Sequence, residues 1–349
     1  MNTKSRRYLF GILLMLSLTF FGLECLGANA YFFLEKPTRI PDQAPFSVEQ
    51  KMADPILKRG VGIDWDSVDV LNPSVIIKNG VWLCYFSGFD GTVWRTGLAT
   101  SCDGLNWRKY HANPILDISK SGWDSSYIAA NGCAIEIGRQ IYYYYQGRSE
   151  DTPTSIGLAV SEDGIKFEKL SDGPVLRPGQ KHSWDCMAVA DPYVLKHGPY
   201  YFMYYLGMDE MHRQRIGVAR SVDGKTWTKS LSNPILDVGA KGTFDERGLG
   251  EPSVIFNPPF FYMIYTGRAA DETRDLGLAL SLDGINWQKL SVQGLFPHRS
   301  DGNWDSKVIC DSSLIRDYRG KLMIYYGGGN RADPAENLNG QIGLMYANI

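Results

Sequence analysis

Three acids and two amides occupy one recurring register of this chain: Asn72, Asn131, Asp191, Glu251 and Asp311. Each stands just ahead of a short apolar run, and Pro73, Pro192 and Pro252 follow three of them directly. Three carboxyls gathered at one place repel, which drives their pKa values apart. One can then hold its proton as a general acid while another stays ionised. Cleavage of a glycosidic bond needs such a pair, set farther apart when a water must fit between. The competing reading is that these side chains cap strands or bond neighbouring backbone. A purely structural position favours one residue type in every copy, and here the types differ.

The register comes from a phrase repeated along the chain: Trp65-Asp66, Trp123-Asp124, Trp184-Asp185, Phe244-Asp245 and Trp304-Asp305, at intervals of 58, 61, 60 and 60 residues. The second copy carries one extra residue. In the third copy, Ala190-Asp191-Pro192 opens the apolar run Tyr193-Val194-Leu195, a turn falls at Gly198, and Tyr200 to Tyr205 and Ile216 to Ala219 follow. Short runs rich in aromatic and β-branched residues, bounded by Gly, Pro or Asp, predict strands. Four such strands per repeat predict one blade of a β-propeller. The expected fold is therefore all-β, a five-bladed propeller with four antiparallel strands per blade. Its innermost first strands would bring the five variable positions into a ring at one channel mouth.

A second phrase, Ser-x-Asp-Gly-x-x-Trp, spans Ser101–Trp107, Ser221–Trp227 and Ser281–Trp287, with Ser161–Phe167 a variant. Asp-Gly between strands signals a hairpin, and fourfold repetition favours a structural role over calcium or sugar binding at each turn. The fifth repeat lacks this hairpin and its outer strand. Residues near Phe46 to Lys51 are expected to supply that strand, which would close the ring and remove two exposed edges. The Asp residues of the Trp/Phe-Asp phrases read as scaffold.

At this point the chain resembles the five-bladed glycosidase superfamily of glycoside hydrolase families 43, 32, 62 and 68, roughly from Asp54 to Ile349. Ala190-Asp191-Pro192, Gly250-Glu251-Pro252 and the repeat itself carry the resemblance. It implies that Glu251 is the general acid and that Asp191 tunes it or stabilises the transition state. The general base of family 43 is a first-blade Asp, and here that position is Asn72, so the base falls to Asp69 or Asp311. Asn-Pro in the first blade also resembles family 130, the mannoside phosphorylases and related hydrolases, in which phosphate can be the nucleophile. Arg148, Arg268 and Arg331, each in a loop after a second strand, could then bind phosphate or an acidic sugar. Surface or inter-blade salt bridges are the alternative for each. Asn72 and Asn131 join the substrate-binding set, and Trp94 is a candidate platform for a sugar face. His212 is a further candidate for holding substrate or an axial ion.

The 349 residues carry a net charge of −2 with 21% charged residues, which leaves no basic field for nucleic acid. The expected function is an exported, inverting glycoside hydrolase of poly- or oligosaccharides; the alternatives are a family-130-like phosphorylase and, favoured by Asn72, a non-catalytic carbohydrate-binding propeller. The expected partner is a carbohydrate and the expected state a monomer. No cofactor is required, although a structural Ca2+ in the central channel is compatible with the fold. Lys4, Arg6 and Arg7 precede an apolar stretch from Tyr8 to Leu26, followed by Ala28-Asn29-Ala30. That pattern predicts a signal peptide or membrane anchor over residues 1–30, a linker over 31–45 and the propeller over 46–349. The enzyme would work outside the cytoplasm, secreted, periplasmic or anchored facing outward. Glu24 directly before Cys25 argues against lipid attachment there. The remaining cysteines, with no metal-ligand spacing, read as free thiols buried within strands.

Overall fold

The computed structural model describes residues 40–41, 45–170, 173–290, 292–297 and 302–349. The expected export segment (1–30) and most of the linker lie outside the described residues. Among the described residues the fold is all-β, without α-helix. Among the described residues no helix is long and apolar enough to cross a membrane.

The first described strand is β1 (Ser47–Lys51), and the strands after it pair locally and antiparallel. The first set is β2 (Asp69–Lys78), β3 (Val81–Phe89), β4 (Trp94–Ser101) and the short β5 (Arg108–Lys109). It is followed by β6 (Ser126–Ile137), β7 (Gln140–Arg148), β8 (Ser155–Ser161) and β9 (Glu168–Lys169). Next come β10 (Ala188–His197), β11 (Tyr200–Met208), β12 (Gln214–Ser221) and β13 (Thr228–Lys229). Then β14 (Gly248–Asn257), β15 (Phe260–Arg268), β16 (Arg274–Ser281) and β17 (Trp287–Lys289). Finally β18 (Val308–Arg316), β19 (Leu322–Gly329) and β20 (Gln341–Asn348) pair in turn, and β1 adds to β20. The N-terminal strand thus joins the C-terminal set, as expected.

The ladders do not form one continuous closed sheet. They divide into a sheet of 12 strands and a sheet of 8. Single backbone–backbone bonds join strands across the two gaps, from Val189 N–H to the Thr154 carbonyl and from Val70 N–H to the Gly340 carbonyl, at 3.1 and 3.0 Å.

The repeated phrases hold this framework together. Each Trp/Phe-Asp carboxylate is almost fully buried and receives a lysine from an outer strand. Lys109–Asp66, Lys169–Asp124, Lys229–Asp185 and Lys289–Asp245 lie at 2.5, 2.7, 2.5 and 2.6 Å. The fifth carboxylate, Asp305, receives Lys51 of β1 at 2.6 Å. In register, Lys51 faces Met345 just as Lys109 faces Ala99, so β1 reproduces the chemistry of the missing strand as well as its pairing. In four sets a buried tyrosine, Tyr145, Tyr205, Tyr265 or Tyr326, donates to the same carboxylate.

The Asp-Gly hairpins tie one set to another. Gly104 sits at φ +74°, and its N–H donates to Ser101 Oγ, while Asp103 accepts the N–H groups of Leu105 and Asn106. Tyr85, Tyr144 and Tyr204 donate to the carbonyls of Gly164, Gly224 and Gly284, each in the hairpin of the following set. Tyr325 of the last set donates to Gly104 of the first, at 2.7 Å. The run Tyr142–Tyr145 shows the expected alternation. Tyr143 and Tyr145 pack with Leu83 and Tyr85, and Tyr142 and Tyr144 pack with Tyr201 and Met203. Cys84, Cys133 and Cys310 are buried free thiols in strands. Cys102 is exposed and Cys186 half-buried, both outside strands, contrary to the expectation for them.

Candidate active site

Asn72, Asn131, Asp191, Glu251 and Asp311 all have positive φ, at 50, 47, 48, 51 and 54°. Each lies in a break of ladder register in the first strand of its set: between Leu71 and Ser74, Ala130 and Cys133, Ala190 and Tyr193, Gly250 and Ser253, Cys310 and Ser313. A bulge with left-handed backbone re-aims a side chain off the sheet. Such strain in non-glycine residues clusters at functional sites. The five side chains line one pocket of about 240 Å³.

Backbone donors link the ring members in sequence. The Glu251 N–H supports Asp191. The Asp311 N–H reaches Glu251 Oε2 at 3.3 Å and Thr266 Oγ1 at 3.0 Å. The Asn72 N–H reaches Asp311 Oδ2 at 3.3 Å. Asn131 leaves this sequence, pairing its N–H and its amide oxygen with Ser87 Oγ at 2.9 and 3.0 Å. The two readings of these positions therefore coexist: the side chains bond neighbouring backbone and also face a common pocket.

Their electrostatics separate them. Burial, and then the negative charge of Glu251, push Asp191 up to about 8, against hydrogen bonds from Asn131 and the Glu251 backbone. The same two causes, in the same order, hold Asp311 well above the usual carboxylate range. Both aspartates thus favour the protonated form. The balancing cation is Arg274, buried in the pocket wall. Cys310, Glu251 and Asp311 raise its proton affinity against the cost of burial.

Glu251, Cys310 and Asp311 bring three ligand-type atoms within 4.8 Å of one another. A hard cation such as Ca2+ prefers six to eight oxygens. A thiol, two carboxyls and a guanidinium beside them do not fit it.

The other expected residues divide. Arg268 lines the pocket, and its guanidinium donates to the Pro334 carbonyl at 3.3 Å. Burial lowers its pKa first, partly offset by Glu272, and Arg274 and Arg247 add to the lowering. Trp94 lines the pocket too, but it is buried, with its ring stacked on Phe89 at 4.7 Å between centroids. Stacked on one face and 5% exposed, it offers little ring surface to a sugar. Arg148 is exposed and caps the ring of Tyr127 at 4.2 Å; it is not a lining residue. Arg331 is exposed and also outside the lining, as is His212, whose N–H closes a turn on Asp209.

Asp69 does not bend inward to the ring. It is fully buried in β2, where Oδ1 accepts the Gly340 N–H at 2.7 Å and Oδ2 accepts those of Asn337 and Leu338 at 2.7 and 3.4 Å. Its oxygens are saturated by backbone, so it holds a loop and cannot reach a water in the pocket.

Arg274 escaped the sequence reading although a signal for it exists. The third strands share a glycine, Gly97, Gly157, Gly217, Gly277 and Gly343. Three residues before it stand Trp94, Thr154, Gln214, Arg274 and Gly340, a second register where the copies disagree. The first four line the pocket. Gln146 also lines it, and its buried Oε1 has no hydrogen-bond partner among the described residues.

Comparison with known proteins places this arrangement. An uncharacterized protein of Mycobacterium tuberculosis is 28% identical over 269 residues, covering 72% of this chain and 86% of that one. A 1,2-β-oligomannan phosphorylase of Thermoanaerobacter is 28% identical over 158 residues, which span 40% of this chain and about half (52%) of the relative. Among solved structures, a family-130 glycoside hydrolase from a study of β-1,2-mannosidic linkages in Candida mannan superposes with TM-score 0.67, at 17% identity over 89% of this chain and 96% of that one. A thermostable family-43 glycoside hydrolase superposes with TM-score 0.64, at 16% identity over 79% of this chain and 89% of that one. These structural likenesses speak for the fold, that of propeller-type glycoside hydrolases. The sequence model of family 130, described as β-1,4-mannooligosaccharide phosphorylase, matches residues 123–327, more than half of the chain. Both resemblances noted in the sequence hold at the level of the superfamily, and the chain belongs to glycoside hydrolase family 130, whose members are hydrolases or phosphorylases acting on glycosidic bonds.

Proposed function

We propose that this protein hydrolyses β-linked mannosides, with Asp191 as proton donor and Glu251 as the carboxylate that activates water. The observation that carries the reading is the meeting of Asp191, Glu251 and Asp311 at one pocket, where burial and then the neighbouring Glu251 charge raise both aspartates. A donor with pKa about 8 is protonated at neutral pH and still acidic enough to protonate a leaving oxygen. This moves to Asp191 the acid role that the family-43 resemblance implies for Glu251, and gives Glu251 the base role that the resemblance leaves to Asp69 or Asp311. Asp311, buried and raised, and Asp69, saturated by backbone, are unsuited to the base.

In the proposed step Asp191 gives its proton to the glycosidic oxygen as the bond to the anomeric carbon breaks. The bonding electrons leave with that oxygen. Water forms the new bond to the carbon while Glu251 takes its proton, and exchange with solvent resets both groups. Arg274 keeps Glu251 compensated, and Asn72, Asn131 and Gln146 offer partners for sugar hydroxyls. A pocket of about 240 Å³ lies below the ~300–1,000 Å³ of sites for drug-sized ligands, which suits one small unit better than a long chain.

Phosphorolysis is the second reading, favoured by Arg268 and Arg274 lining the same pocket. Two guanidinium groups there could hold phosphate as nucleophile, and no carboxylate base would be needed. The mannoside class rests on the descriptions of the family and of its oligomannan-phosphorylase relative.

The proposal includes the scaffold and the address. Read as blades, the strand sets make a five-bladed propeller with β1 in the last blade, and residues 1–30 export a monomer. Incubating the purified protein with β-mannobioses, with and without inorganic phosphate, tests the chemistry. Free mannose without phosphate supports hydrolysis, and mannose 1-phosphate formed only with phosphate overturns it in favour of phosphorolysis. Glu251→Gln is expected to lower hydrolysis by ~10²–10⁴-fold with an unchanged circular dichroism spectrum. Near-normal turnover in that variant would refute the assignment.

A further inference from the structure

The mechanism leaves one fully buried carboxylate, Asp69, without a role, and the segment it holds is part of the pocket wall. The connection between β19 and β20 spans residues 330–340, and Pro334 and Ala335 within it line the pocket. One end of this strap is fixed by Asp69 through the N–H groups of Asn337, Leu338 and Gly340. Arg59 adds a bond to Asn339 Oδ1 at 3.1 Å. The other end meets the pocket cations: Arg274 donates to the carbonyls of Asp333 and Pro334, both at 3.0 Å, and Arg268 to Pro334 at 3.3 Å. Between them, Glu336 Oε2 accepts from the Tyr127 hydroxyl at 2.8 Å. A mechanical connection therefore runs from Asp69 through the strap to the two guanidinium groups.

We propose that Asp69 is a positioning residue: by clamping the strap from below, it sets the two carbonyls that orient Arg268 and Arg274 in the pocket. Arg274 has its charge beside Glu251 and Asp311, so its placement bears on substrate binding at the ring. The role in binding rests on the reading of this pocket as the mannoside site. The clamp itself does not.

The test uses Asp69→Asn and, as a second route, Gly340→Ala. At Gly340 an added Cβ would stand 2.8 Å from Leu71 Cγ and 3.1 Å from Asp69 Oδ1, displacing the strap with the carboxylate intact. Hydrogen exchange of the 337, 338 and 340 amides and the Nε–H resonances of Arg268 and Arg274 read the clamp without any substrate. Both variants are expected to exchange at least tenfold faster at those amides and to shift the two arginine signals. Unchanged arginine signals in both variants would overturn the proposal even if the amides loosen. With a mannobiose as substrate, KM should rise about fivefold or more while kcat stays within about twofold. Lys51→Met, which destabilises a distant site, should leave KM unchanged; an equal rise there would assign the effect to general loosening and also overturn the proposal. If the wild-type protein cleaves no mannoside, the functional reading fails while the exchange and resonance results still decide the clamp.

Discussion

Replacing Asp191 by Asn should stabilise the folded protein at neutral and mildly alkaline pH while removing turnover. In the native state burial and the charge of Glu251 raise Asp191 from 3.8 to about 8. The unfolded chain sheds this proton near pH 4, whereas the folded protein keeps it until near pH 8. Across that window the native state binds more protons than the unfolded one, so this group makes stability fall as pH rises. A shift of about 4 units at 1.36 kcal/mol each bounds the cost at ~5–6 kcal/mol above pH 8. The opening of half-buried Asp191 toward the pocket reduces it, and ~1–3 kcal/mol is the expected gain. Asn keeps the shape and cannot ionise. Urea denaturation of both proteins at pH 5 and pH 8 provides the measurement. The advantage of the variant should be small at pH 5 and should grow by pH 8. A variant less stable than wild type at pH 8, or an advantage equal at both values, would refute the account of the ring's electrostatics.

Two further outcomes concern the framework. Lys51→Met leaves Asp305 buried, with only the Tyr326 hydroxyl on its Oδ2. Removing one partner of a buried pair costs ~3–5 kcal/mol, and partial exposure of Lys51 brings the expected loss to about 1–3 kcal/mol. Scanning calorimetry should show a lower Tm with unchanged activity, and an unchanged Tm would count against β1 as a working fifth outer strand. Tyr325→Phe removes the bond to Gly104 and leaves a buried carbonyl unpaired, for about 1–3 kcal/mol. Equal urea midpoints for that variant and wild type would show that the last set does not depend on the first.

Much of the framework was legible because repetition exposes backbone needs. The Asp-Gly phrases announced the hairpins, and the absence of a fifth one pointed to Phe46–Lys51 as the completing strand. The position of Lys51 opposite Met345 went unforeseen, although a lysine 43 to 45 residues after the aspartate recurs for the first four Trp/Phe-Asp phrases. The ring was legible for the opposite reason. Its copies share a strained bulge and differ in side chain, so what varies there answers to the pocket. The sequence misled at Asp69, because proximity along the chain to Asn72 suggested a substitute base. Neighbouring strand residues point to opposite sides, and three backbone donors from a segment some 270 residues away claim that carboxylate. It misled at Arg148 and Arg331 as well: Arg148 ends β7 and lies over Tyr127, and a position along the chain does not say which way a long side chain leans.

From the sequence alone follow the repeat, the strand order and the five positions where chemistry could sit, because turns, alternation and bulges are local needs of the backbone. Only the tertiary structure decided that Asp191 and Asp311 hold their protons more tightly than free carboxyls. That depends on burial and on charges brought together from different repeats: Glu251 against Asp191 and Asp311, with Arg274 beside them. These groups are about 60 residues apart in sequence or drawn from a register that no single motif marks. Their coupling exists only once the sets have assembled around a common pocket.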